Sequence, residues 1–326
     1  MEFLFADWFG TPAWFWLAFL GLVVALTAFD LGVLHKEDRE MGVGESLKLS
    51  AFYIAIALLF GAWLWYARGP EPGMQYFTGF FIEKALSIDN VFVISLIFSY
   101  FAIPAKHQYR ALLWGIIAVI VLRGIMIAGG AALVNQAYWV LYLFAAFLIF
   151  TGVKMFFAGD QPMDVADNSV VRFISNHMPV TRELHGRRFF VRTTDPKTGN
   201  LVTTATPLFL ALVVINLADL VFAIDSVPAI FAITTDTFIV YTSNIMAILG
   251  LRALYFALAA MVHRFHYLKH ALAAVLVFIG AKIFIADFVL GGDKFPPAVS
   301  LGVTFALIAA GIGYSLWKTR GAPEVG

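Results

Sequence analysis

The chain has 326 residues, of which 61% are hydrophobic and only 13% charged, with 33 Phe and a mean hydropathy of +0.85. A globular domain carries about 25% charged residues, so the composition excludes a soluble domain and predicts an all-α polytopic protein in a lipid bilayer. A net charge of +1 leaves no concentrated basic surface for a nucleic acid, and the lack of Cys excludes disulfides, thiolate metal sites and thiol catalysis.

Crossing a hydrocarbon core of about 30 Å takes about 20 apolar residues. Nine runs meet that length, near 13–33, 48–67, 79–102, 111–130, 137–157, 206–230, 239–262, 270–290 and 297–317. No charged leader with a cleavage site precedes the first run, which is therefore expected to stay as an anchor. The stretches Arg68-Gly69-Pro70-Glu71-Pro72-Gly73, Ile103-Pro104, Gly291-Gly292-Asp293 and Pro296-Pro297 punctuate the runs as connectors. One connector is long, 158–205. It is expected to hold an amphipathic helix around 169–177 and a small β-hairpin whose strands are 188–192 and 200–204, flanking the turn 195–199. The chain thus divides into two N-terminal spans (1–68), a three-span unit (79–157), the connector (158–205), a second three-span unit (206–290) and a last span with its tail (297–326).

Basic residues set the expected orientation. With the N-terminus outside, the connectors 34–47, 103–110, 158–205 and 263–269 and the C-terminal tail are cytoplasmic and carry the loop Lys and Arg, against only Arg68 and Lys294 on the other side. Lys84, Arg123, Lys154, Arg252 and Lys282 fall within the runs.

These charges reveal a repeat. Glu83 and Asp89 match Asp219 and Asp225 at a shift of 136, Leu122-Arg123 matches Leu251-Arg252 at 129, and Gly152-Val153-Lys154 matches Gly280-Ala281-Lys282 at 128. Spans 3 to 5 and 6 to 8 read as two copies of one unit. Three spans is an odd number, so the copies are inverted, as in many secondary transporters whose substrate site lies at mid-membrane between the repeats.

The acids lie in Glu83-Lys84-Ala85-Leu86-Ser87-Ile88-Asp89-Asn90 and Asp219-Leu220-Val221-Phe222-Ala223-Ile224-Asp225-Ser226. An ionised side chain at the centre of a membrane helix costs at least about 2.5–3.5 kcal/mol. Six positions correspond to about 9 Å and about 120° on a helix, so the two acids of one helix cannot share an ion. The expected central site is Asp89 and Asn90 facing Asp225 and Ser226, with Glu83 and Asp219 one layer away. Pro228 frees the carbonyl of Ile224 as a further oxygen. Such hard donors suit Mg²⁺, Ca²⁺ or Mn²⁺ as substrate, with no permanently bound cofactor.

Arg123 and Arg252 are expected to lock the acids or to pair with them permanently. Lys84 reads as a partner of Glu83 or a gate, Lys282 as needing a partner, Lys154 as snorkelling, and Asp30 as an interfacial acid solvated by headgroup water or as lining the cytoplasmic mouth. Asp287 reads as solvated or loosely paired with Lys282.

The acid motifs, together with Phe150-Thr151-Gly152-Val153-Lys154-Met155 and Thr242-Ser243-Asn244-Ile245-Met246-Ala247-Ile248-Leu249-Gly250-Leu251-Arg252, resemble the TerC family of integral membrane proteins over nearly the whole chain, most of all its Alx-like bacterial branch. The resemblance implies an inner-membrane exporter of Mn²⁺ or a related metal that needs the acids of both motifs. It also carries a link to tellurite resistance, and to thylakoid biogenesis in plastid relatives. The chain departs from the family at Asn216, where a Glu is common. Asn216 and Asp219 share a helix face, so one carboxylate of a pair has become an amide, which puts metal preference and proton coupling in doubt.

Two other classes were weighed. An intramembrane aspartyl protease would use Asp89 and Asp225 as a dyad, but no Gly-x-Gly-Asp motif is present and a protease gives no reason to duplicate Arg and Lys. A scaffold or membrane-biogenesis protein would use the buried charges for packing alone.

Overall fold

The computed structural model describes residues 2–30, 42–157, 179–181, 183–194, 200–259, 268–291 and 295–319, with the side chains of Glu2, Phe3, Asp89 and Phe92 outside the description. The helix expected at 169–177 and the turn 195–199 therefore lie outside the described residues.

A short helix α1 (Glu2–Phe5) and a two-residue pairing of β1 (Asp7–Trp8) with β2 (Thr11–Pro12) precede the apolar helix α2 (Ala13–Phe29). Then follow α3 (Val43–Arg68), α4 (Pro70–Tyr100), α5 (Ala105–Gln136), α6 (Val140–Phe157), the strands β3 (Phe190–Thr194) and β4 (Leu201–Ala205), α7 (Pro207–Phe231), α8 (Thr237–Leu249), α9 (Leu251–Ala259), α10 (Leu268–Phe288) and α11 (Pro297–Lys318). Six of these helices, α3, α5, α6, α7, α10 and α11, are long and apolar enough to cross a membrane, and α8 with α9 makes a seventh if the bent pair is one span. At 17 residues α2 is shorter, and α4 carries Glu83, Lys84 and Asp89 in its interior.

Two boundaries differ from the sequence reading for identifiable reasons. First, α4 starts at Pro70 rather than near 79. Proline is tolerated in the first helical turn, where its missing N–H has no partner to lose, and the break falls on Gly69 alone, at φ 97°. Second, the expected span 239–262 is broken at Gly250, where α8 and α9 bend by 42°. As expected from the run 206–230, α7 continues past Pro228, by three residues. The start of α8 is fixed by Asp236, whose carboxylate accepts from the amides of Phe238 and Ile239 at 3.0 and 3.2 Å. Arg68 at the end of α3 pairs with the same carboxylate at 2.8 Å.

The strands β3 and β4 pair antiparallel from Phe190 opposite Ala205 to Thr194 opposite Leu201. They run one or two residues later than the sequence pattern suggests. The hairpin is tied to the start of α7: Thr206 donates to the carbonyl of Arg188 at 2.8 Å, and the rings of Phe190 and Phe209 lie 4.5 Å apart.

Inside a bilayer the hydrophobic effect does little between helices, so close packing at small residues holds them. The α6–α10 crossing shows this. A Cβ on Gly152 would stand 2.7 Å from the carbonyl oxygen of Ala273 and 2.8 Å from Val277 Cγ2; one on Gly280 would stand 2.6 Å from the carbonyl oxygen of Ala145 and 2.8 Å from Ile149 Cγ1. The contacts are reciprocal and antiparallel, and each pair is separated by the same 128 positions. In the interior, α4 packs against α3, α7, α8, α9 and α11, while α5 packs against α7 and α8.

Candidate functional site

Four helices, α4, α5, α7 and α8, meet around one guanidinium. Arg123 on α5 is 1% exposed, and its Nε and Nη2 donate to both oxygens of Asp219 on α7, each at 3.1 Å. This two-pronged fork is the strongest geometry an arginine offers a carboxylate. Its Nη1 donates to Glu83 on α4, to Ser226 Oγ at 3.1 Å and to Asn244 Oδ1 on α8 at 2.9 Å. The amide of Asn244 in turn donates to the second oxygen of Glu83 at 3.3 Å. Two carboxylates, a hydroxyl and an amide thus converge on one cation, and Glu83 and Asp219 against Arg123 leave the cluster one formal negative charge in excess.

Helix geometry explains which residues meet. Seven positions bring a helix back to within about 20° of the same face, whereas adjacent residues differ by about 100°. Asp219 and Ser226 are seven apart and both reach Arg123. Glu83 and Asn90 are likewise seven apart, and both are buried. The expected grouping is therefore corrected. Asp225 does not stand with Ser226; it turns to α6, where Thr151 donates to it at 3.4 Å, with Lys154 one turn further along α6 and exposed. Glu83 and Asp219, expected one layer away, form the centre with Ser226. Asp89 belongs to the backbone of α4, and its side chain lies outside the described residues.

The other charges occupy separate places. Arg252 does not join the acids of the motifs: it pairs with Asp30 at the end of α2, which also accepts from the Tyr109 hydroxyl, and its guanidinium lies 4.7 Å from the Tyr109 ring. Asp30 is fully buried there rather than solvated at a mouth. Lys84 turns from Glu83 and donates to the carbonyl of Ala247 near the end of α8 at 3.1 Å. The space it uses is that of the missing Gly250 side chain, whose Cβ would lie 2.8 Å from its Nζ. Lys282 is buried and donates to Ser300 at 3.1 Å, while Asp287 accepts from Tyr142 at 2.6 Å. Asn216 donates to the carbonyl of Leu212 at 2.8 Å, and its buried amide oxygen has no partner among the described residues.

Asn244 was not singled out from the sequence. Its signal was there, in the polar triplet Thr242-Ser243-Asn244 inside an apolar run. Among the described residues, no three His, Asp or Glu side chains converge as a metal cage. The central donors are two carboxylates completed by neutral oxygens.

A model described as the integral membrane protein TerC family matches residues 68–322. The chain belongs to the TerC family. Among its relatives, a membrane protein of Rickettsia bellii (strain RML369-C) is 48% identical over 297 residues, covering 91% of this chain and 95% of that protein. The membrane protein STKORF319 of Myxococcus xanthus is 46% identical over 314 residues, 96% and 95% of the two chains. Alx of Escherichia coli (strain K12), whose name describes a proposed membrane-bound redox modulator, is 43% identical over 317 residues, 94% and 95%. No solved structure matches the chain significantly. This TerC protein is an integral multi-pass membrane protein, and the acid motifs lie inside the matched region.

Proposed function

We propose that this TerC protein is an inner-membrane secondary transporter that exports a divalent metal cation, Mn²⁺ first among them, with its N-terminus outside and nine spans that include α2 and α4. One observation carries the reading: Glu83, Asp219, Ser226 and Asn244 are gathered in the apolar interior around a cation, and that cation is the tethered guanidinium of Arg123. A divalent ion would neutralise both carboxylates, which one guanidinium does not. The neutral oxygens of Ser226 and Asn244 complete a hard-donor set suited to Mn²⁺ or Mg²⁺. On this reading Arg123 must leave the acids when the metal arrives.

The reciprocal glycine crossing of α6 and α10, at a constant shift of 128, supports two inverted three-helix repeats. So does the exchange in which α4 packs on α8 while its counterpart α7 packs on α5. Such repeats place their site where the two units meet. The redox name of the E. coli relative favours a second reading, a redox role, but with no Cys this chain has no thiol with which to exercise it.

Cellular manganese content with and without expression tests the proposal. Expression under manganese load is expected to lower it, with the Asp219→Asn variant failing to do so. Unchanged manganese, together with defective membrane-protein assembly in a deletion strain, would replace the exporter with a scaffold.

A further inference from the structure

A second polar place lies apart from the Arg123 cluster. Where α4 and α11 begin and α7 and α10 end, a cavity of about 250 Å³ opens between the helices. Its walls include Lys282, Ser300, Thr234, Thr235, Asp287 and Glu71.

Lys282 is 5% exposed, and no carboxylate lies within ion-pair distance of it among the described residues. An ammonium has three N–H donors, and one of them is used, on Ser300. The acids of the wall have donors of their own: Asp287 takes the Tyr142 hydroxyl, and Glu71 takes the Gln75 amide at 3.2 Å. A buried ammonium is costly unless something opposite in sign sits beside it. Burial here is not forced by the helix, since Lys154, the matching residue of the first unit, is exposed.

Beside Lys282, Asp287 and Glu71, the polar lining is neutral. Ser300, Thr234 and Thr235 line the same space. The 22-residue helix α11 begins at this wall with no side-chain cap, and the amides of Val299 and Ser300 donate to the Pro296 carbonyl. A water takes about 30 Å³ of liquid, so the volume admits a small anion with several waters.

We propose that this cavity binds a small anion, an oxyanion or a phosphate or carboxylate group, whose charge is matched by Lys282. The site stands independently of the metal-export reading. The shared chemistry is a phosphate-like oxygen cluster, which a free ion or a phospholipid headgroup can supply.

Thermal unfolding of the purified full chain tests it, with sodium phosphate compared against sodium chloride at equal ionic strength, and separately with added phosphatidylglycerol. Wild type is expected to gain a saturable rise of about 2–4 °C, lost in Lys282→Met and kept in Lys282→Arg. A Lys282-dependent rise with phosphate assigns the site to a free anion, and one with the lipid alone to a headgroup. Should Lys282→Met fail to fold, Lys282→Gln replaces it. No rise with either probe, or an equal rise in the variant that lacks the ammonium, would overturn the proposal.

Discussion

Replacing Arg123 by Met tests the centre of the bundle most severely. The change keeps much of the side-chain volume but removes the charge that Asp219 meets through two hydrogen bonds of 3.1 Å and that Glu83, 1% exposed, meets directly. The buried carboxylate of Glu83 and the partly buried one of Asp219 then lack a counter-charge. Breaking a buried pair in this way costs about 3–5 kcal/mol. At about 2.1 cal/mol/K per residue, each kcal/mol moves the melting temperature of a chain of 326 residues by roughly 1.5 °C, so a fall of about 4–7 °C is expected by tryptophan fluorimetry. The same variant exposes the donor set to a free cation. Mn²⁺ at a hundred times its dissociation constant is expected to restore about 2.7 kcal/mol, more than it adds to wild type, where the guanidinium competes. Sodium is expected to restore nothing comparable. An Arg123→Met protein that melts with wild type, or that Mn²⁺ stabilises no more than wild type, would refute the reasoning.

Three further outcomes follow from packing and charge. Gly280→Ala is expected to lose about 1–3 kcal/mol, because the new Cβ would stand 2.6 Å from a backbone oxygen of α6, whereas Gly302→Ala, with nothing within 4 Å, loses none; paired melting curves decide it. Gly250→Ala crowds the Nζ of Lys84 off the end of α8, and is expected to raise hydrogen exchange of the last amides of α8 while leaving those of α6 unchanged. Asp30→Asn leaves the 4%-exposed Arg252 without its carboxylate and is expected to lose about 3–5 kcal/mol, measured as a melting shift larger than that of Asp236→Asn, whose ion pair with Arg68 is partly solvated.

Much of the helical framework was legible from hydropathy, because a run of about 20 apolar residues has few structures open to it in lipid. The places where hydropathy misled are local. Gly250 breaks a span without leaving the apolar run, and the Nζ of Lys84, which donates to the carbonyl of Ala247 beside the break, comes from a helix more than 150 positions earlier. The start of α4 was hidden by prolines that read as a loop yet fit a first helical turn.

The acids were found because ionisable residues in apolar runs are costly, but their partners were grouped by adjacency in sequence rather than by helix face. Spacing seven joins Asp219 to Ser226, while spacing one separates Ser226 from Asp225. By helix face alone, Asp225 belongs to another wall than Ser226. The pairing of Arg252 with Asp30 was beyond such counting. It links the second unit to a helix outside both units, and no periodicity within α9 points to α2.

The most direct measurement of the central claim is Mn²⁺ flux in proteoliposomes holding wild type, Glu83→Gln or Asp219→Asn, each checked for folding by its melting curve. Wild type is predicted to move Mn²⁺ down an imposed gradient, and both folded variants are predicted to fall to the level of empty liposomes. Flux in the variants equal to wild type, or none in folded wild type, would contradict the account.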